Sequence, residues 1–164
     1  MSSSLASESA VLPAWASHPL LDGLTTELTN ALAATIQNIH VKAGEVVIRA
    51  GEPNDSLFII GEGRLRASGL TPMPDLVAGD SVGAVEMLSL QPNPMTLTAA
   101  EDSLLYRLSR EGFIKLSLKY PALVLSITEE ILPGLQHTQV ADILVGLNAM
   151  SVPFPNHALY SRQL

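Results

Sequence analysis

Short runs of β-forming residues alternate with turn residues along positions 38–108, and this spacing constrains the fold more than any other feature of the chain. Intervals of about 8 to 12 residues between turns are typical of an all-β barrel or jelly roll. The pattern predicts two hairpins, one around 61–63 and one around 101–103. The expected strands are 38–42, 45–49, 56–60, 64–68, 76–78, 95–100 and 104–108.

Apolar helices are predicted on both sides of this β region. Thr25 is a good N-cap for the first helix, in which Leu24, Leu28, Leu32 and Ile36 recur every four residues as one buried stripe. Ser109 is a plausible N-cap for a helix that stops before Pro121. Two further helices are expected at 122–132 and at about 135–148, with Pro133 and Gly134 separating them.

The charge balance argues against nucleic acid and for a protein partner. Sixteen acidic and nine basic residues give a net charge of −7, the wrong sign for binding phosphate backbones. Charged residues make up only 15% of the chain, against about 25% in an ordinary soluble domain. We therefore expect a protein partner or a homo-oligomer that uses the helices from Ala122 to Asn148.

The chain has no cysteine, no run of about 20 apolar residues and no secretory signal at its start. These features favour a reducing, cytoplasmic location and predict no membrane span. The expected organisation is a disordered leader at 1–13, a β barrel with its N-terminal helix at 14–120, interface helices at 121–150 and an extended tail at 151–164.

The stretch 79–102 has the order of a ligand cradle: a glycine-rich bend, a short apolar helix, a proline-bracketed turn and a strand. It resembles the phosphate-binding cassette of the cyclic-nucleotide-binding domain family, and residues 42–65 resemble the same family at nearly every turn. The resemblance covers about residues 18–132 and implies an eight-stranded jelly roll, mainly β, with flanking helices. The matching cassette positions are Gly79, Asp80, Gly83, Leu88, Pro94 and Thr98.

Two cassette positions depart from the family. Its glutamate, which contacts the ribose, is Ala84 here, and its arginine, which contacts the cyclic phosphate, is Met95. Losing two charge-assisted contacts weakens binding by roughly 10²–10⁴, so we expect no bound cofactor, with cAMP or cGMP as the alternative. The degenerate nucleotide pocket is assigned to Gly83, Ala84, Val85, Glu86, Met95 and Thr96.

The other cassette side chains are expected to suit an apolar cradle rather than a nucleotide. Met87, Leu88, Leu90 and Met95 are predicted to line it, and the tail residues Phe154 and Tyr160 are candidates to occupy it. Glu86, where the family has alanine, would repel a phosphate or face water. Four arginines could instead supply positive charge near the pocket, although ordinary alternation favours solvated strand faces for them: Arg49, Arg64, Arg66 and Arg107.

The function predicted from these features is a non-enzymatic regulatory or assembly module that has lost its nucleotide and acts through protein contacts. The first alternative is a sensor that still binds a small ligand through the backbone amides of Gly83, Ala84 and Val85. The second is a small esterase using Ser81, since Gly79–Gly83 fits the Gly-x-Ser-x-Gly elbow. Scattered single histidines predict no metal site.

Overall fold

The computed structural model describes residues 13–69 and 72–152, and the predicted leader and tail fall almost entirely outside them. Within the described residues there are eight strands: β1 Gln37–Val41, β2 Val46–Ile48, β3 Ser56–Glu62, β4 Arg64–Ser68, β5 Leu76–Val77, β6 Ser81–Val82, β7 Thr96–Ala99 and β8 Ser103–Ser109.

The strands form two antiparallel four-stranded sheets. The first sheet has the order β1-β8-β3-β6 and the second the order β2-β7-β4-β5. The two sheets pack face to face around one shared apolar cluster. The predicted mainly β, jelly-roll architecture is therefore confirmed.

Both predicted hairpins are wrong. β3 pairs with β8 and β6, whereas β4 pairs with β7 and β5. β7 and β8 likewise lie in different sheets. The turns at Gly61–Gly63 and at 100–102 therefore carry the chain from one sheet to the other, and the positive φ of Gly63 (96°) provides one of these reversals.

The first sheet is buried on both faces along β3. Phe58 and Ile60 point to the cluster between the sheets, while Leu57 and Ile59 belong to a second cluster under the helices. Five consecutive residues of β3 are consequently buried. The helices thus cover one sheet and leave the outer face of the other to solvent.

The helices follow the sequence prediction closely. Among the described residues they are α1 Thr26–Thr35, α2 Ala84–Ser89, α3 Arg110–Lys119, α4 Pro121–Ile131 and α5 His137–Ala149. The hydroxyl of Thr25 accepts from the Leu28 N–H at 3.2 Å, and that of Ser109 from the Gly112 N–H at 3.1 Å, so both predicted caps are confirmed. No helix of the described ranges is long and apolar enough to cross a bilayer.

The predicted break after α4 is a 3-10 turn at Leu132–Gly134. Beyond it α5 packs against α2, the short helix of the cassette. The C-terminal helices therefore do not form one continuous rod.

Candidate functional site

The cassette begins in a loop fixed to the centre of the first sheet. The Gly79 N–H donates to the Ile60 carbonyl, and the Ile60 N–H donates to the Asp80 carbonyl, both at 2.9 Å. The Asp80 carboxylate accepts from the Val77 N–H at 2.8 Å. This pairing holds the entry to the cassette before α2 begins.

Gly83, the N-cap of α2, sits where no other residue fits. Its φ of 93° lies in the left-handed region, and a Cβ built there would overlap the Ser56 carbonyl oxygen and the Asn54 amide. The Asn54 side-chain amide donates to the carbonyls of Gly83 (3.1 Å) and Ser56 (2.8 Å). Asn54 is buried, so these bonds tie the start of α2 to the start of β3.

Arg110 holds the other end of the cassette helix. Its guanidinium donates to the Asn54 carbonyl at 2.6 Å and to the Met87 carbonyl at 3.3 Å. The Met87 carbonyl belongs to the C-terminal part of α2, where a cation is favourable. Arg110 and Asn54 therefore hold α2 on the side that faces β3 and α3, here called the rear of the cassette.

Arg107 extends this network along β8. Its guanidinium donates to the Ser56 hydroxyl (2.7 Å) and to Gln37 (2.8 Å), and it pairs with Asp55 at 3.4 Å. Burial raises the pKa of Asp55, but the hydrogen bond from Ser56 and the charges of Arg107 and Arg110 outweigh it and leave that pKa lowered. Arg107 is thus engaged with protein acceptors and not on a solvated face as predicted.

The front of the cassette is the side on which the family binds its ligand, and the first residue of α2 there is Ala84 instead of the family's glutamate. Ala84 is only 6% exposed and packs into the helix-side cluster. The N–H groups of Ala84 and Val85 lie in the first turn, where an α-helix supplies no internal acceptor. Backbone donors for an anion are therefore retained at this terminus.

Glu86 places a negative charge at the same terminus. Its side chain is half-buried, and burial raises the pKa of its carboxyl while a bond from its own backbone N–H lowers it. The expectation that Glu86 simply faces water is therefore wrong. The carboxylate thus accepts from the Glu86 N–H in the first turn of α2, while the N–H groups of Ala84 and Val85 are not involved in this bond.

Met95 directly precedes β7, and Thr96 is the first residue of that strand. Met95 is half-buried and packs against the cluster between the sheets. The Thr96 hydroxyl accepts from the Ala50 N–H at 3.0 Å. Met95 thus contributes apolar surface where the resemblance places a phosphate-binding arginine.

The predicted apolar lining is only partly correct. Met87 and Leu88 are fully buried in the helix-side cluster, so they fill the core rather than line a cradle. Leu90 has a φ of 61° and is exposed at the end of α2. Phe154 and Tyr160, the candidates for self-occupation, lie outside the described residues.

Arg49, Arg64 and Arg66 are exposed, and the nearest acidic partner of Arg64 is Asp75 at 3.9 Å. Sequence reasoning missed Asn54 and Arg110 as site residues. Asn54 is readable only as a turn residue after Pro53, and nothing in the sequence pairs it with a residue 56 positions away.

Ser81 lies on β6 and pairs antiparallel with Ile59, whereas a nucleophile elbow needs a strand–turn–helix in a parallel sheet. His18 lines a depression of about 540 Å³ together with Ser81 and Asp80. The His18 Nδ1 accepts from the Leu20 N–H at 3.1 Å, and the ring is also hydrogen-bonded to the Gly79 backbone. Nδ1 is therefore engaged by the backbone and Ser81 lies on an antiparallel strand, so the two residues do not form the arrangement of a nucleophile elbow.

No group of three or more His, Cys, Asp or Glu side chains suited to an ion occurs among residues 13–69 and 72–152.

This chain matches only a small part of the curated relatives to which it is similar. Lysophospholipase NTE1 of Phaeosphaeria nodorum is 31% identical over 121 residues, which covers 66% of this chain and 8% of that protein. An uncharacterized NTE family protein of Mycobacterium tuberculosis is 29% identical over 99 residues, covering 58% of this chain and 17% of that protein. The chain therefore spans less than a fifth of the length of these relatives.

Solved structures share the fold at low identity. The C-linker/CNBHD of zELK channels, crystallized in the presence of cAMP, gives a TM-score of 0.68 at 18% identity, covering 84% of this chain and 72% of that one. The Thermus thermophilus catabolite activator protein gives 0.62 at 20% identity, covering 80% and 63%. The family model described as "Cyclic nucleotide-binding domain" matches residues 38–120, about half of the chain. With its two facing sheets and its glycine-started cassette helix, this chain belongs to the cyclic nucleotide-binding domain family.

Proposed function

We propose that this chain is a non-enzymatic regulatory module that has lost cyclic-nucleotide binding and works through protein contacts. The observation that carries the proposal is the charge pattern at the front of α2. The acid and the base that would hold a sugar phosphate are replaced by Ala84 and Met95, and the half-buried Glu86 adds a negative charge.

The surroundings of these positions support a loss rather than a relocation of the charges. Ala84 is buried in one apolar cluster and Met95 packs on the other. Arg107 and Arg110, the half-buried arginines on the cassette side, already donate to protein oxygens. A phosphate entering the cradle would meet Glu86 without a nearby counter-charge, which costs free energy in a half-buried site.

Isothermal calorimetry with cAMP and with cGMP tests the first half of the proposal. The wild-type chain should show no saturable heat at micromolar nucleotide. The triple variant Ala84→Glu, Glu86→Ala, Met95→Arg restores both family contacts and should bind at least tenfold more tightly than wild type.

A control variant distinguishes the effect of the pocket side chains on affinity from the effect of net charge. Glu52→Ala, at an exposed position, changes the net charge by the same one unit as the triple variant and should leave nucleotide affinity unchanged. Saturable micromolar binding by the wild-type chain would instead favour the sensor alternative, in which the backbone amides of Gly83, Ala84 and Val85 bind the ligand.

The proposed contact surface is on the C-terminal helices. Val145 is 69% exposed on α5, Leu144 beside it is 37% exposed, and Leu118 on α3 is 59% exposed. Large apolar side chains exposed to this degree are unfavourable in water unless a partner covers them. The low content of charged residues, 15%, supports the same view.

Light scattering tests this surface. We expect wild-type chain to self-associate, or to bind its protein partner, and Val145→Asp to weaken that association. Val77→Asp is the matched control, since Val77 is 46% exposed on an edge strand of the second sheet. A strictly monomeric wild-type chain with no partner, or equal effects of both substitutions, would contradict the role of the helices.

The likeness to lysophospholipase NTE1 suggests an enzyme of that kind as the object of this regulation. Since the match is confined to 8% of that relative, we propose that the chain contributes control and not hydrolysis. A purified chain should release no product from lysophospholipid or a generic ester. Hydrolysis that disappears in Ser81→Ala would overturn this part of the proposal.

A further inference from the structure

The strands of the second sheet carry positive charge only. β2, β4, β5 and β7 contain no aspartate or glutamate, although the whole chain has sixteen acidic against nine basic residues. Arg64 and Arg66 lie on β4, and both are exposed. The charge on this sheet is therefore opposite in sign to the net charge of the chain, which is −7.

The strand register places these arginines on the face that points away from the core. Leu65, which lies between them on β4, is fully buried in the cluster between the sheets. Side chains alternate along a strand, so Arg64 and Arg66 point outward. Arg66 is paired with Thr98, and Thr98 is paired in turn with Val46, which is 37% exposed. A row of arginine, threonine and valine therefore crosses three strands of the outer face.

The two guanidinium groups are only weakly engaged within the part of the chain that the structure describes. Arg64 lies 3.9 Å from Asp75, and the two side chains are 52% and 33% exposed. This separation is too long for a hydrogen bond, and exposed ion pairs are weak. No acidic side chain of the described residues forms an ion pair with Arg66. Both arginines can therefore donate to an acceptor outside the chain.

The spacing of the arginines matches that of an extended polypeptide. Residues two positions apart on a strand are separated by about 6.6–6.8 Å along its axis. An extended segment with carboxylates at alternate positions has the same repeat, so one carboxylate reaches Arg64 and the next reaches Arg66. Arginine holds a carboxylate through two parallel hydrogen bonds. Val46, about 10 Å away across the sheet, offers a contact for an apolar side chain of the same partner.

The net charge of the chain favours a short acidic segment over a larger charged surface as the occupant. A segment on β4 interacts mainly with charges within about 8 Å, the Debye length at physiological ionic strength. An anionic bilayer or a nucleic acid extends further and also meets the acidic remainder of the chain, whose net charge is −7. Repulsion then opposes the attraction of two arginines.

We propose that the outer face of the second sheet, centred on Arg64, Arg66 and Val46, binds an extended acidic segment of a partner protein with carboxylates at alternate positions. This surface is separate from the exposed apolar side chains of α3 and α5, because the helices cover the first sheet. The inference goes beyond the proposed function and does not depend on whether nucleotide binding has been lost.

NMR titration of the full chain with two synthetic peptides tests this face. One peptide carries glutamate at alternate positions, with serine and valine between them, and the other has the same composition with its glutamates in one block. The alternating peptide should shift the amide signals of β4 and β7 and bind more tightly than the block peptide. The double variant Arg64→Gln, Arg66→Gln should weaken its binding by about tenfold or more, because both charge-assisted contacts are lost.

The double variant Lys115→Gln, Lys119→Gln is the matched control, because it changes the net charge by the same two units at exposed positions of α3. It should leave the affinity for the alternating peptide unchanged. Equal losses in the two double variants, equal binding of the two peptides, or no saturable binding at all would overturn the proposal. Vesicles of phosphatidylserine and phosphatidylcholine are a further probe: vesicle binding that depends on Arg64 and Arg66 would make an anionic membrane the occupant and would equally overturn it.

Discussion

The side chains around the six-residue helix α2 differ sharply in chemistry between its rear, which faces β3 and α3, and its front, where the family binds its ligand. At the rear, Asn54 and Arg110 provide four hydrogen bonds to backbone carbonyls, two from each side chain. At the front, the positions that would face a guest carry Ala84 and Met95. The supporting polar groups are present and the ligand-binding charges are absent.

The difference shows which contacts the fold itself requires. An unpaired buried carbonyl or amide costs about 1–3 kcal/mol whether or not a ligand is bound. Asn54 and Arg110 therefore stabilise the empty chain. A side chain that contacts only a guest adds nothing to that stability, so its loss leaves the fold intact.

Gly83→Ala should lower the stability of the chain most, because it disturbs the packing at the rear of the cassette. The added Cβ overlaps the Ser56 carbonyl, disturbs Asn54 and imposes a positive φ, which together should cost about 3 kcal/mol. For a chain of this size that lowers the unfolding midpoint by about 6–12 °C in calorimetry.

Gly79→Ala is the control for Gly83→Ala. Gly79 has an equally positive φ of 94°, but a Cβ there meets nothing within 4 Å. Its cost should be only the backbone strain, about 1 kcal/mol. Equal losses at the two glycines would show that close packing behind α2 is unimportant.

Arg110→Met should have an intermediate effect. It removes the donors to the carbonyls of Asn54 and Met87 while keeping the length of the side chain. Urea unfolding should reveal a loss of about 2 kcal/mol, typical of charge-assisted hydrogen bonds. Arg66→Met, at an exposed strand position, should change stability by less than about 0.5 kcal/mol. A similar response in both variants would remove the distinction between rear and front.

The sequence predicted the elements better than their pairing. Turn spacing located seven of the strands, and Thr25 and Ser109 were identifiable as caps because capping is local. Residues 61–63 are equally compatible with a hairpin and with a crossing between sheets, so local signals could not decide between the two. The one strand that was not predicted, β6 at Ser81–Val82, is too short to carry a periodic pattern.

The site was predictable only where the family pattern supplied positions. The glycine at 83 and the substitutions at 84 and 95 could be read from the sequence. The bonds from Asn54 and Arg110 join residues that are far apart along the chain, and no spacing rule connects them. The burial of Glu86 likewise depends on tertiary packing around α2.

Glu86→Gln should change the stability of the folded chain least, and it should raise that stability where the other substitutions lower it. Burial raises the pKa of Glu86 above its value in the unfolded chain, so the folded state loses stability as pH rises through that range. At neutral pH the ionised carboxylate disfavours folding, and Gln should raise the unfolding midpoint slightly. The gain should shrink below about pH 4, where the carboxyl is protonated in both states. Glu52→Gln, at an exposed position, serves as the comparison in the same pH series. A gain that is independent of pH, or a loss of stability, would mean that Glu86 supports α2 and belongs functionally with the rear of the cassette.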